Sequence, residues 1–157
     1  FDRSVVYLYE ESPQHVAGLV INKPTRTKLQ KIFQVKGFKT INISDLVYSG
    51  GPVNQGNIIM MHTNEWKCKN TLPLANGISI TSDPQMLKKM HEQDQPQAWR
   101  VFSGLSIWSP GQLEGEINSK CWMTAIPTPE LSLETPTTQI YEKAIEICSK
   151  QIIDKYI

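Results

Sequence analysis

The stretch Trp99-Arg100-Val101-Phe102-Ser103-Gly104-Leu105-Ser106-Ile107-Trp108 predicts a long strand, because aromatic and β-branched residues favour strands. Gly104 lies near its centre, and a glycine inside a strand marks a bulge or the close approach of another backbone. Shorter strand-like segments occur on both sides of it along the chain, at residues 4–9, 16–21, 46–48, 57–62, 77–81 and 121–126. The chain therefore contains about seven predicted strands. Residues 77–81 alternate between apolar and polar, which predicts one solvent-exposed face.

Four other segments have the pattern of helices. They begin near Leu29, Asp83, Ser109 and Thr135. The third fits a capping box, with Ser109 as N-cap, Pro110 as the first helical residue and Gln112 three residues after the cap. Strands and helices do not alternate regularly, and the chain has no dinucleotide fingerprint or P-loop. We therefore expect a mixed α/β or α+β domain, not a doubly wound nucleotide-binding fold.

Composition narrows the class of protein. The length of 157 residues predicts a single domain over 1–157. The composition, with 39% apolar and 20% charged residues, excludes a disordered, collagenous or coiled-coil chain. No apolar run approaches the roughly 20 residues of a membrane helix, so we expect a soluble protein. Three isolated cysteines and three dispersed histidines show no zinc-ligand spacing, which favours a cytoplasmic protein without metal or cofactor. The chain starts at Phe1 without Met, so we expect a trimmed N-terminus.

The charge balance bears on nucleic-acid binding. Net charge is +1, whereas DNA-binding domains usually carry a strong basic surplus. Residues 12–44 nevertheless contain six basic side chains and no acid. That excess fits either an anionic partner or simply a solvated face. We do not expect direct DNA binding.

Two glycine-containing segments invite a functional interpretation. Gly50-Gly51-Pro52 follows a strand and fits a nest of N–H groups that holds an anion, or else a tight turn. Gly104-Leu105-Ser106-Ile107-Trp108 approaches the nucleophile elbow of serine hydrolases, but Trp108 stands where that motif needs glycine. We interpret Ser106 as an ordinary strand residue, and Trp108 as a core or rim aromatic.

Four polar residues are further candidates. Gln112 and Glu116 share a helix face and could hold a polar ligand, or Gln112 caps the helix while Glu116 is solvated. Arg3 precedes a buried strand and must reach solvent or find an acceptor. Asn22 ends the second strand, where its amide could lock the turn into the first helix.

Four fragments in order carry a family resemblance: Phe1-x-Arg3-Ser4-Val5-Val6, Gly18-Leu19-Val20-Ile21-Asn22-Lys23-Pro24, Val47-Tyr48-x-Gly50-Gly51-Pro52-Val53 and Trp108-x-Pro110-Gly111-Gln112-Leu113-Glu114-x-Glu116. Together they resemble the AlgH/YqgE family of bacterial proteins, over nearly the whole chain. The resemblance implies a barrel-like, branched mixed sheet surrounded by helices, in a bacterial cytosolic protein. Members of that family are described as transcriptional regulators of alginate synthesis, and no reaction is assigned to them.

Three hypotheses about function follow, in order of preference. The first is a non-enzymatic, regulatory, monomeric protein that acts through a protein or small-molecule partner, away from membranes. The second is an enzyme, for example a hydrolase, with Arg3, Asn22, Gly50-Gly51 and Gln112 around one cleft. The third is a DNA-binding regulator that uses the basic first third.

The first two hypotheses share a prediction about geometry. Loops at strand ends concentrate binding residues, so we expect the four matched fragments to meet on one side of the fold. In the competing arrangement the fragments are separate structural devices, and Arg3 pairs with Glu114 or Glu116.

Overall fold

The computed structural model describes the backbone of residues 1–39 and 42–156, and the side chains of those residues as far as 150. The helices and strands of this part of the chain are β1 (Val6–Glu11), β2 (Val16–Val20), β3 (Pro24–Lys28), α1 (Leu29–Val35), β4 (Leu46–Ser49), β5 (Val53–Thr63), β6 (Thr71–Pro73), β7 (Ile78–Thr81), α2 (Gln85–His91), β8 (Trp99–Trp108), α3 (Gln112–Asn118) and α4 (Thr137–Tyr156). A 3-10 turn at Ala75–Gly77 precedes β7, and a π-helical turn at Glu130–Glu134 precedes α4.

Strand β8 organises the sheet. It pairs antiparallel with β5 through its first half and antiparallel with β2 through its last residues. At its middle it also pairs parallel with β4, which continues to β3, so the sheet branches there. Apart from the β3–β4 branch, the strands of the sheet lie in the order β1-β2-β8-β5-β7-β6. The sheet is mixed and curls into a half-barrel with helices around it, which confirms the predicted fold class.

The branch depends on glycine at the centre of β8. Gly104 has φ +78°, and a Cβ placed there would lie 2.5 Å from the carbonyl oxygen of Gly51. Only glycine permits both that backbone conformation and that approach. The predicted close backbone contact at Gly104 is therefore confirmed, and it is the end of β4 that approaches.

Apolar residues cover both faces of the sheet, because successive side chains of a strand point to opposite sides. Met61 and Phe102 pack toward α4 and the π-helical turn. Their neighbours Met60 and Val101 pack against α1 and α2. Each face therefore has its own core cluster, and the sheet is sandwiched between helices.

Three local predictions were wrong. Residues 121–126 form no strand in the described structure and run as an irregular connector beside α3. All four residues of β7 are buried, because β7 lies between β5 and β6 and is covered on both faces, so it has no wet side. The polar strand β3 was missed, since Pro24–Lys28 lacks the apolar alternation that marks a strand.

Among the described residues, no helix is both long and apolar enough for a membrane span.

Candidate functional site

A cavity of about 480 Å³ lies beside the half-barrel. The N-terminal segment and β1 form one wall, α3 and the 121–127 connector form the second, and α4 with the π-helical turn forms the third. The wall is mostly apolar. Among the described residues it contains two cationic side chains, Arg3 and Lys120, and no aspartate, glutamate or histidine. Concave, largely apolar cavities of this size are typical of small-molecule sites.

Asn22 fixes the N-terminal wall. Its Oδ1 accepts from the N–H of Val5 at 2.9 Å, and its Nδ2 donates to the carbonyl oxygen of Arg3 at 2.9 Å. A turn closed by the Ser4 N–H on the carbonyl of Phe1 holds Arg3 at φ +51°. The amide of Asn22 thus locks the N-terminal segment and not the turn into α1, so that prediction was wrong.

Arg3 faces α4. The Cζ atom of its guanidinium lies 4.4 Å from the centroid of the Tyr141 ring, a cation–π geometry. No carboxylate of the described residues lies within ion-pair distance of Arg3. The competing expectation of a pair with Glu114 or Glu116 is therefore wrong. The N–H edges of Arg3 remain without an anionic partner in this part of the chain.

Glu116 is instead held by indoles. Its Oε2 accepts from Nε1 of Trp122 at 2.8 Å and from Nε1 of Trp108 at 3.1 Å, while its Oε1 accepts from Nε2 of Gln112 at 3.3 Å. These bonds, that of Trp122 first, lower the pKa of Glu116. The ring of Phe1 covers both indoles, with centroids 6.1 and 5.4 Å away. Glu116 is thus half-buried and holds the two indoles of the aromatic wall in place.

Gln112 also has a local role. Its Oε1 accepts from the N–H of Ser109 at 3.0 Å, which is the reciprocal half of the predicted capping box. However, Pro110 and Gly111 form the centre of a turn closed by the Gln112 N–H on the carbonyl of Ser109. Gly111 has φ +78°, as expected at the third position of a type II turn. The helix begins at Gln112, so the predicted start at Pro110 was wrong.

The Gly50-Gly51-Pro52 segment belongs to the sheet. The N–H of Gly50 donates to Ser103 at 3.0 Å, so it cannot contribute to an anion nest. A Cβ on Gly50 would lie 2.3 Å from the carbonyl oxygen of Gly104, and one on Gly51 would lie equally close to the backbone of Leu105. Pro52 is exposed, and none of the three lines the cavity.

The carbonyl of Gly50 is also the hydrogen-bond partner of the Ser106 side chain. The Ser106 hydroxyl donates to it at 3.2 Å, inside the fold. Ser106 is therefore an ordinary strand residue, as expected.

The eight predicted site residues thus divide into two groups. Arg3 and Trp108 line the cavity, and Asn22, Gln112 and Glu116 hold them in place. Gly50 and Gly51 pack against β8 at the branch of the sheet, and Pro52 is exposed. The predicted convergence therefore holds for the first, second and fourth fragments through direct contacts, while the third has no residue in the cavity wall.

Sequence reasoning missed Ser132. It lies in the π-helical turn, is fully buried, and lines the cavity. Its hydroxyl has no hydrogen-bond partner among the described residues. Arg100 stabilises the turn, because its Nη1 donates to the carbonyl oxygen of Ser132 at 3.0 Å. No local sequence pattern indicates a π-helical turn, and such turns frequently occur at functional sites.

His62 lies on a different part of the sheet. Its Nδ1 lies 2.7 Å from the carbonyl oxygen of Thr63, and its Nε2 lies 2.7 Å from Oγ1 of Thr81. In the neutral ring Nδ1 donates, so Nε2 accepts from the Thr81 hydroxyl. Burial lowers the pKa of His62, which favours this neutral form. The histidine is satisfied within the core and takes no part in the cavity.

Comparison with known proteins agrees with the fold and with the fragments. Residues 1–152 match the family model described as AlgH-like. The chain is 32% identical over 154 residues to a UPF0301 protein of Proteus mirabilis, covering 94% of this chain and 82% of that protein. The solution structure of AlgH from Pseudomonas aeruginosa superposes with a TM-score of 0.79 at 25% identity, over 92% of this chain and 78% of that one. A crystal structure from Corynebacterium diphtheriae gives 0.71 at 23% identity, over 91% and 76%, and shares the fold. The chain belongs to the AlgH-like family.

Proposed function

We propose that this protein is a non-enzymatic regulator that acts by binding a small molecule in the cavity between its N-terminal segment, α3 and α4. The observation that carries the proposal is a cavity of about 480 Å³ whose wall includes the buried hydroxyl of Ser132, for which the described part of the chain offers no hydrogen-bond partner. Leaving a buried hydroxyl unsatisfied costs about 1–3 kcal/mol, so native structures rarely retain one without a role. A ligand with a polar atom in the cavity would remove that cost.

The chemistry of the wall favours binding over catalysis. Its described residues include no carboxylate or imidazole to serve as a general base. Burial raises the pKa of the Cys148 thiol, which keeps it protonated and weakly nucleophilic. The residues of the enzyme hypothesis, such as Asn22 and Gln112, already have structural hydrogen bonds. These observations support the regulatory hypothesis over the hydrolytic one.

The test measures binding of a small fluorescent probe to the native protein and to variants whose cavity is blocked by tryptophan. N-phenyl-1-naphthylamine is an uncharged probe that fluoresces in apolar sites, and we expect saturable binding of one molecule by the native protein. Ala144→Trp places an indole in the α4 wall, and Ala125→Trp places one in the exposed connector wall, where misfolding is less of a risk. Both should reduce binding at least tenfold. Ala75→Trp, on the exposed 3-10 turn outside the cavity, is the matched control.

The thermal midpoint of each variant shows whether it has folded. The proposal fails if the native protein does not bind the probe. It also fails if folded Ala125→Trp binds as tightly as Ala75→Trp.

A further inference from the structure

We infer that the ligand of this cavity is an organic acid with a hydrocarbon body, an amphiphile whose single anionic group is bound by Arg3 and Lys120. The inference rests on the proposed binding function and adds the chemical class of the ligand. Its basis is the charge of the wall, where two cations and no acid occur among the described residues. A cation beside an apolar cavity without a counter-charge is complementary to an anion.

Arg3 is positioned for such a role. Its backbone is fixed by the bond from Asn22 to its carbonyl, and its guanidinium is stacked on Tyr141. Stacking occupies the face of the guanidinium and leaves its N–H edges, which bind carboxylates in a bidentate geometry. Glu116 does not form an ion pair with Arg3, since no carboxylate of the described residues lies within ion-pair distance of that guanidinium. Glu116 accepts instead from Trp108, Trp122 and Gln112.

Lys120 supplies the second charge from the end of α3. Its N–H donates to the carbonyl of Ile117 and the Cys121 N–H donates to that of Glu116, both at 2.9 Å. This is a Schellman motif, in which the residue at the Lys120 position adopts a left-handed conformation and is usually glycine. Here it is a lysine with φ +62°. The backbone of Lys120 is therefore fixed at a helix end, and its side chain extends from that point.

The rest of the wall fits the hydrocarbon part. Ile21, Leu131, Ile145 and Cys148 line the cavity without charge. Met123 belongs to the same wall and is 57% exposed, so the apolar lining extends to solvent. A straight-chain acid matches this combination of cationic and apolar surface. Each methylene that it buries should tighten binding about fourfold.

The test compares two probes with ten-carbon chains, one with an anionic carboxylate and one with an uncharged hydroxyl. Binding of decanoate and of decanol is measured by isothermal titration calorimetry at pH 7, with octanoate added to test the chain-length dependence. We expect decanoate to bind at least tenfold more tightly than decanol, and octanoate more than tenfold more weakly than decanoate.

The charge-removing variants are chosen to keep the backbone. Asparagine tolerates the left-handed conformation, so Arg3→Asn and Lys120→Asn remove the charge without new strain. Each should weaken decanoate about tenfold and leave decanol unchanged. Arg26→Asn, on the exposed strand β3 and outside the cavity, is the matched control and should bind like the native protein.

Several outcomes would overturn the inference. If decanoate and decanol bind equally, or if Arg3→Asn and Lys120→Asn leave decanoate binding unchanged, the ligand is not selected by charge. If N-phenyl-1-naphthylamine binds and decanoate does not, the proposed binding function survives and the acid inference fails. If the protein binds phosphatidylglycerol vesicles but not free decanoate, the cations serve a membrane surface instead.

Discussion

The side-chain amide of Asn22 donates to the carbonyl oxygen of Arg3 at 2.9 Å, joining the end of β2 to the N-terminal segment. The same side chain accepts from the N–H of Val5, so it satisfies two backbone groups at once. Arg3 is thereby held in front of Tyr141 on α4. The amide thus helps to hold one wall of the cavity, together with the bond from the Ile21 N–H to the carbonyl of Val5.

Asn22→Ala should destabilise the protein by about 1–2 kcal/mol, because the part-buried N–H of Val5 and the exposed carbonyl of Arg3 both lose their partner. Asn22→Asp keeps the acceptor for the Val5 N–H but loses the donor to Arg3, and should cost less. Urea unfolding measures both. Asn57→Ala, at an exposed position, is the control and should lie within about 0.5 kcal/mol of the native protein. A native-like Asn22→Ala would show that the amide does not hold the segment.

Ser132→Ala should stabilise the ligand-free protein by about 1 kcal/mol, because it removes a buried hydroxyl that has no partner within the described structure. Substitutions that stabilise at a binding site commonly cost function, so binding should weaken in the same variant. Ser44→Ala, on an exposed loop, controls for the loss of a hydroxyl. Thermal unfolding measures the effect. A clear loss of stability in Ser132→Ala would show that the hydroxyl has a partner in solution.

The pH dependence of stability should report on Glu116. Its pKa lies below the ordinary value of 4.5, chiefly because of the bond from Trp122, so the native state stays ionised at lower pH than the unfolded chain does. The stability contributed by these bonds is complete above pH 4.5 and is lost as pH falls through the lower native pKa. Glu116→Gln should lack this component. Glu114→Gln, an exposed neighbour, should keep it, and identical acid profiles for the two variants would contradict the assignment.

His62 should affect the stability of the protein in a pH range above that of Glu116. Burial lowers its pKa below 6.5, so below that pH the unfolded chain takes up a proton that the native state resists. Stability should therefore decline as pH falls below 6.5 toward the native pKa. NMR titration of the imidazole carbons should show His62 changing charge at lower pH than a histidine in the unfolded chain. A midpoint at or above 6.5 would mean that the ring is not buried in its neutral form.

Gly50→Ala should cost about 3 kcal/mol or more, because its Cβ would lie 2.3 Å from a backbone carbonyl of β8 that cannot move aside. Gly56→Ala is the matched control, since a Cβ there meets nothing within 4 Å. It should be neutral or slightly stabilising. Urea unfolding of the two variants measures the difference. Equal stabilities would show that the approach of Gly50 to Gly104 of β8 is looser than described.

The sequence alone predicted the elements whose signals are local. The apolar spacing of Leu29, Ile32 and Phe33 predicted α1, and Met86, Leu87 and Met90 are the buried face of α2 as expected. The β1–β2 hairpin also followed from two strand patterns around a turn. Spacing of this kind reflects the geometry of one helix or strand, so it needs no knowledge of the partner surface. The ordered fragments, read together, were sufficient to predict the family and the mixed sheet.

Only the tertiary structure decided what each polar side chain does. Glu116 and Gln112 were correctly expected to share a helix face, but the carboxylate binds Trp122, which lies on a connector that the sequence predicted as a strand. Asn22 reaches back to Arg3 across 19 residues, and the hydroxyl of Ser132 is buried with no hydrogen-bond partner among the residues that the structure describes. These relationships depend on which distant segments the folded chain brings together. Hydrogen bonds and burial are properties of that assembly, so no local pattern contains them.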